Sequence, residues 1–94
     1  MRLEWSNASI DDRDEIFSFI EAENRQAAIE MDERIEEQVD RLVQFPESGR
    51  PGRIPGTREM AIDRTPYVVA YRLEGTAIRI LRVLHGARRW PRRF

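Results

Sequence analysis

The sequence predicts an α+β fold in which two N-terminal helices pack on one face of a small antiparallel sheet, in the order β-α-α-β-β-β. Three observations predict it. The first half carries two stretches whose apolar residues recur at helical spacing, the second ending at Pro46. The last third carries two runs of β-branched and aromatic residues that flank a glycine turn. Between them lies a segment rich in proline and glycine with no period of either kind. Ninety-four residues suit one domain, residues 1–94.

The elements follow in chain order. Met1 to Ser6 alternates, with Met1, Leu3 and Trp5 on one side, as a short half-buried strand would. Ser6, Asn7 and Ser9 are helix-start residues, and Asp11, Asp12, Asp14 and Glu15 suit the positive end of a helix dipole. A first helix runs from there to about Ala22, with Ile10, Ile16, Phe17, Phe19 and Ile20 as its apolar side. Asn24 caps a second helix whose stripe is Ala28, Met31, Ile35, Val39, Leu42 and Phe45. Pro46 stops it, and Glu30, Asp32, Glu33, Glu36, Glu37 and Asp40 populate a solvated side. Such an acidic face more often serves solubility than binding. Pro46 to Thr57 is a surface loop, and Arg58 to Ile62 a short strand. Tyr67 to Leu73 and Thr76 to Leu84 form a hairpin about Glu74-Gly75, which pairs Leu73 with Thr76. One face then holds Tyr67, Val69, Tyr71, Leu73, Ile78 and Ile80 with Arg82 beside them, and meets the helices. The other, open face holds Val68, Ala70, Arg72, Arg79, Leu81, Val83 and His85. Arg88 to Phe94 is too short for a helix and reads as a partly mobile tail.

Composition narrows the function classes. No apolar run is long enough to span a membrane, and the acidic start does not suit a signal peptide, so the expected location is cytoplasmic. Without cysteine there is no disulfide, thiolate metal site or cysteine nucleophile. One histidine does not make a zinc site, the glycines lack the Lys-Ser/Thr of a phosphate loop, and no nucleophile elbow is present. Neither a cofactor nor a metal is expected. The net charge of −1 hides an asymmetry: residues 1–49 hold 14 acids and 5 arginines, net −9, and residues 50–94 hold 3 acids and 11 arginines, net +8. Every basic residue is arginine, whose planar fork suits phosphates, carboxylates and stacking, so no lysine can serve as a tunable base.

Few residues could carry chemistry. His85, the sole histidine, ends a strand before Gly86 and suits acid–base work in phosphodiester cleavage. Its structural reading is a backbone-bonded corner post. Arg50, Arg53, Arg58, Arg72, Arg79 and Arg82 could line a basic groove, with Arg88 and Arg89 beyond. Trp90 or Tyr71 could stack on a base there, and the same groove suits an acidic peptide. Trp90 more often folds back onto a core than meets a partner.

Trp5-Ser6, the segment Asp12 to Ile20, Pro46 to Gly49 and Pro55-Gly56-Thr57-Arg58-Glu59 stand in an order and spacing that resemble the RelE/ParE family of bacterial toxins from type II toxin–antitoxin pairs. Pro66 to Arg72 and Ile80 to Pro91, with its His-Gly-Ala-Arg-Arg-Trp-Pro exit, complete the resemblance over nearly the whole chain. The family divides. ParE-like members inhibit DNA gyrase and arrest replication and growth, with plasmid stabilization as a consequence, and RelE-like members cut messenger RNA on the ribosome. The exit is more similar to ParE. This chain departs from RelE in having no lysine, a net charge of −1 and no terminal helix bearing a catalytic tyrosine. The resemblance therefore implies a gyrase-binding toxin, with Arg72, Arg79, Arg88, Arg89 and Trp90 meeting target or antitoxin. The alternative is a ribosome-dependent endonuclease with His85 as acid–base and Arg58, Arg72 and Arg82 on the phosphate. A further alternative is an inactive relative that only binds antitoxin. In each case the resemblance implies a cognate antitoxin, ParD-like or other, in a hetero-oligomer. An otherwise disordered acidic or amphipathic segment of it would wrap the Arg-rich side and the helices.

Overall fold

The computed structural model describes all residues from Met1 to Phe94. Chain order is β1 (Arg2–Trp5), α1 (Asn7–Glu21), α2 (Arg25–Asp40), β2 (Arg50–Pro51), β3 (Arg58–Ala61), β4 (Tyr67–Glu74) and β5 (Ala77–His85). The strands form one sheet in the order β1-β5-β4-β3-β2. Two helices on a sheet follow the expected architecture. The sheet is mixed, however: β1 lies parallel to β5, while every other neighbouring pair is antiparallel. The helical pair between β1 and the rest returns the chain to the far edge, which allows the parallel pairing.

Both helices start where side-chain caps exist. Ser6 Oγ accepts from Ser9 N–H at 3.0 Å, and Asn24 Oδ1 accepts from Ala27 N–H at 3.0 Å. The second helix stops short of the expected Phe45: α2 ends at Asp40, and Arg41–Val43 winds into a 3₁₀ turn. Ala28, Ile35, Val39 and Leu42 are buried as the stripe predicts, but Phe45 is 62% exposed. In α1 the apolar side is only partly right. Ser9, Asp12 and Ile16 face inward, and Phe19 is 77% exposed.

The hairpin corrects the expected register. Glu74 pairs with Ala77 and Leu73 with Ile78, so the turn lies at Gly75-Thr76. Gly75 has φ +59°, which a first turn centre of the II′ kind requires and glycine adopts without strain. This two-residue slip alone would preserve the faces. A bulge does not: Tyr71 pairs with Ile80 and Ala70 with Arg82, leaving Leu81 as the extra residue. Beyond it Val83 turns into the core with Val69, Tyr71, Ile78 and Ile80, against Ile16, Ile35, Val39 and Leu42. His85 pairs with Tyr67 on that face, and Arg82 stands opposite Ala70 on the other. Nor is the second face open. Val68, Ala70, Leu81 and Leu84 on it are all buried.

Candidate binding surface

Where β1 ends at Trp5, the outer edge of β5 loses its strand partner, and α1 supplies one. Ser6 N–H donates to Ile80 C=O at 3.0 Å, and Ser6 Oγ donates to Leu81 C=O at 2.9 Å. Asp12, 6% exposed, then accepts from Val83 N–H at 2.9 Å. The same carboxylate holds the Arg82 guanidinium as a fork, Nε to Oδ2 at 2.7 Å and Nη2 to Oδ1 at 2.9 Å. That hydrogen-bonded pairing raises the Arg82 pKa, with burial opposing it. Arg82 is thus a strut between β5 and α1.

Beside this strut Asp12, Ile16, Phe19, Tyr67, His85 and Arg88 line much of a cleft of about 420 Å³. His85 sits edge-on to Tyr67 with ring centroids 5.8 Å apart, and its Nδ1 accepts from Ala87 N–H at 3.1 Å. Its backbone carbonyl accepts from Arg88 N–H and Trp90 Nε1–H, each at 3.1 Å. The corner-post reading of His85 describes these contacts well.

Arg58 lies at the other end of the helix-side face. Its Nη1 donates to Gly49 C=O at 2.8 Å and Glu47 C=O at 3.2 Å, pinning the loop after α2. Tyr71 pins the same loop, its hydroxyl accepting from Gly49 N–H at 2.9 Å and donating to Pro46 C=O at 2.8 Å. Burial raises the Tyr71 pKa, and the Gly49 N–H partly offsets that. Arg58 is in register with Tyr71, and His85 with Tyr67. Those partners stand four steps apart along β4, about 13 Å at strand rise. Arg72 and Arg82 are on the opposite face. The four residues of the nuclease alternative are therefore not gathered around one point.

The outer face is basic but partly answered. Arg72 stands directly opposite Arg79, and Arg79 reaches Glu4 at 3.8 Å. Farther along, Glu59 is the acid that sequence reasoning passed over. It is 4% exposed and pairs in register with Ala70 on this face. Its carboxylate accepts from Arg53 N–H at 2.7 Å, from Arg53 Nε and Nη2 at 3.1 Å each, and from Arg50 Nη2 at 3.3 Å. Burial pushes the Glu59 carboxyl up, but these donors together hold it below the ordinary 4.5. Arg53 in turn lies 3.7 Å over the Trp90 ring. The 50–57 loop and the last residues of the chain thus meet across the face expected to be open. Trp90 folds back, as tryptophan more often does; Arg88 and Arg89 remain exposed beside it. The one signal for Glu59 was its place as the lone acid in an arginine-rich stretch, after Arg50, Arg53 and Arg58, and no local pattern marks Asp12 among its acidic neighbours.

No three of His, Asp and Glu stand close enough together to hold a metal ion. No helix is long and apolar enough to cross a membrane. The surfaces on offer are thus a part-apolar cleft along α1 and a basic face with an arginine-rich exit.

Comparison with known proteins agrees with this geometry. The family model described as ParE toxin of type II toxin–antitoxin system, parDE, matches residues 3–90. "Putative toxin Y4kP" of Sinorhizobium fredii (strain NBRC 101917 / NGR234) is 39% identical over 90 residues, covering 96% of this chain and 93% of that protein. A solved structure titled "Chromosomal ParDE TA system from P. aeruginosa" superposes with a TM-score of 0.82 at 31% identity, over 90% of this chain and 95% of that one. The chain therefore belongs to the ParE toxin family of type II toxin–antitoxin systems.

Proposed function

We propose that this toxin, one domain over residues 1–94, acts in the cytoplasm by binding DNA gyrase and arresting replication, and that a cognate antitoxin in a hetero-oligomer silences it. The observation that carries the reading is the dispersal of the nuclease candidates. Arg82 is committed to Asp12, Arg58 to two loop carbonyls, and His85 to its own corner. Acid–base cleavage needs its groups within hydrogen-bond reach of one phosphodiester, and this arrangement favours binding over chemistry. Arg72, Arg79, Arg88, Arg89 and Trp90, on the outer face and exit, are then the contacts for target or antitoxin. The part-apolar cleft beside Phe19 offers an amphipathic antitoxin segment a second hold. The similarity to a chain of a ParDE toxin–antitoxin system supports an antitoxin partner.

Pulse-labelling of DNA and protein synthesis just after induction tests the reading. DNA synthesis falls first, with translation continuing, and His85→Ala leaves that arrest in place. An early fall in translation that His85→Ala abolishes would overturn it in favour of a ribosome-dependent nuclease. Normal growth with intact antitoxin binding would mark an inactive relative.

A further inference from the structure

From Gly75 to Phe94 the chain contains no acidic residue and six arginines. Two are answered by carboxylates elsewhere, Arg79 by Glu4 and Arg82 by Asp12. The other four, Arg88, Arg89, Arg92 and Arg93, are exposed and make no ion pair. Four unanswered cations within six residues repel one another, so their arm is held by something other than charge.

The holding contacts are specific. Gly86 N–H donates to Pro66 C=O at 2.7 Å, and Trp90 Nε1–H to His85 C=O at 3.1 Å. One face of Trp90 carries the Arg53 guanidinium at 3.7 Å, which buried Glu59 fixes in turn, and the Phe94 ring lies 6.3 Å away. The sequence alone suggested a partly mobile tail. These contacts tie Trp90 to the body of the domain, and to that extent less ordering entropy opposes binding.

We propose that this clamped arm binds the phosphate backbone of duplex DNA directly, through Arg88, Arg89, Arg92 and Arg93. Phosphate contacts need charge and donor forks without a pocket, and the arm offers those. Single-stranded nucleic acid is held largely by stacking on aromatic faces, and Arg53 already occupies a face of Trp90. An acidic peptide would also want apolar surface beside the arginines; Trp90 is half-buried under Arg53, which leaves Phe94, 38% exposed, as the one large apolar group there. The choice of DNA among duplexes rests on the proposed action at gyrase; the phosphate contact itself does not.

The test is anisotropy of a short fluorescent DNA duplex titrated with the toxin alone, without gyrase or antitoxin. Binding weakens with salt at a log–log slope of about −0.9 per neutralised phosphate, so four contacts give roughly a 100-fold loss between about 50 and 200 mM. The combined Arg88→Gln, Arg89→Gln, Arg92→Gln and Arg93→Gln variant, altered only at exposed positions, flattens that slope. Trp90→Leu keeps the charges and releases the clamp, and weakens binding about tenfold at unchanged slope. Absence of binding, a slope the fourfold variant does not change, or equal competition by polyglutamate would overturn the proposal. A duplex RNA bound more tightly than DNA would overturn the assignment to DNA. A toxin that stops DNA synthesis in cells yet fails to bind the duplex would sink this inference alone and leave the gyrase reading standing.

Discussion

At the scale of single residues, two buried carboxylates organise the basic half of the molecule. Asp12 and Glu59 are each almost fully enclosed, and each holds guanidinium and backbone donors together. Removing one partner of such a group strands the other without water, which costs more than forming the pair contributes. Glu59 makes this testable by pH. Its folded pKa lies below 4.5, so its ionised form contributes stability above that value, and the contribution is lost as pH falls through the folded pKa. Wild-type protein should therefore lose stability below about pH 4.5 in urea titrations. Glu59→Gln should be less stable at neutral pH, by about 1–3 kcal/mol, and show a flatter acid limb. An acid limb as steep as that of the wild type would assign the sensitivity to other carboxylates.

At the scale of elements, Ser6 joins a helix to a strand edge. Its hydroxyl caps α1 by accepting from Ser9 N–H and closes β5 by donating to Leu81 C=O. Ser6→Ala removes both bonds, and the urea midpoint should fall by the equivalent of about 1–2 kcal/mol. Ser6→Asp, which restores the cap acceptor but no donor for Leu81, should recover only part of that loss. Full recovery would show that the strand contact contributes nothing. The same junction marks where the sequence stopped being legible. Caps, stripes and β-branched runs reveal the element order because each is a local pattern with its own period. The Leu81 bulge leaves only a faint local mark: the alternation of Ile78, Arg79 and Ile80 breaks at Leu81, and strict alternation carried past that break puts Val83 and His85 on the wrong face. The parallel pairing of β1 is a choice of partner 75 positions away, visible only once the sheet is assembled. The candidate site suffered for the same reason. Arg82 looked like a free cation because Asp12, on another element, is brought to it only by the tertiary fold.

At the scale of the whole molecule, opposed charges in the two halves of the chain nearly cancel. Residues 1–49 carry −9 and residues 50–94 carry +8, for a net charge of −1. Screening acts over about 10 Å at 0.1 M salt, well within a body of 40 × 28 × 23 Å, so distant charges are then largely independent. At about 0.01 M the screening length grows to roughly 30 Å, and each molecule presents a dipole to its neighbours. With so little net charge to keep copies apart, the acidic helical side of one should attract the basic sheet side of the next. Static light scattering should therefore give a negative second virial coefficient at low salt that rises toward zero as salt is added. The fourfold arginine-to-glutamine variant of the exit arm, at a net charge near −5 on the same bookkeeping, should reverse the trend and repel at low salt. A wild-type coefficient that becomes more positive on dilution of the salt would mean that net charge outweighs the dipole. In that case the division of charge along the chain would not be a division across its surface.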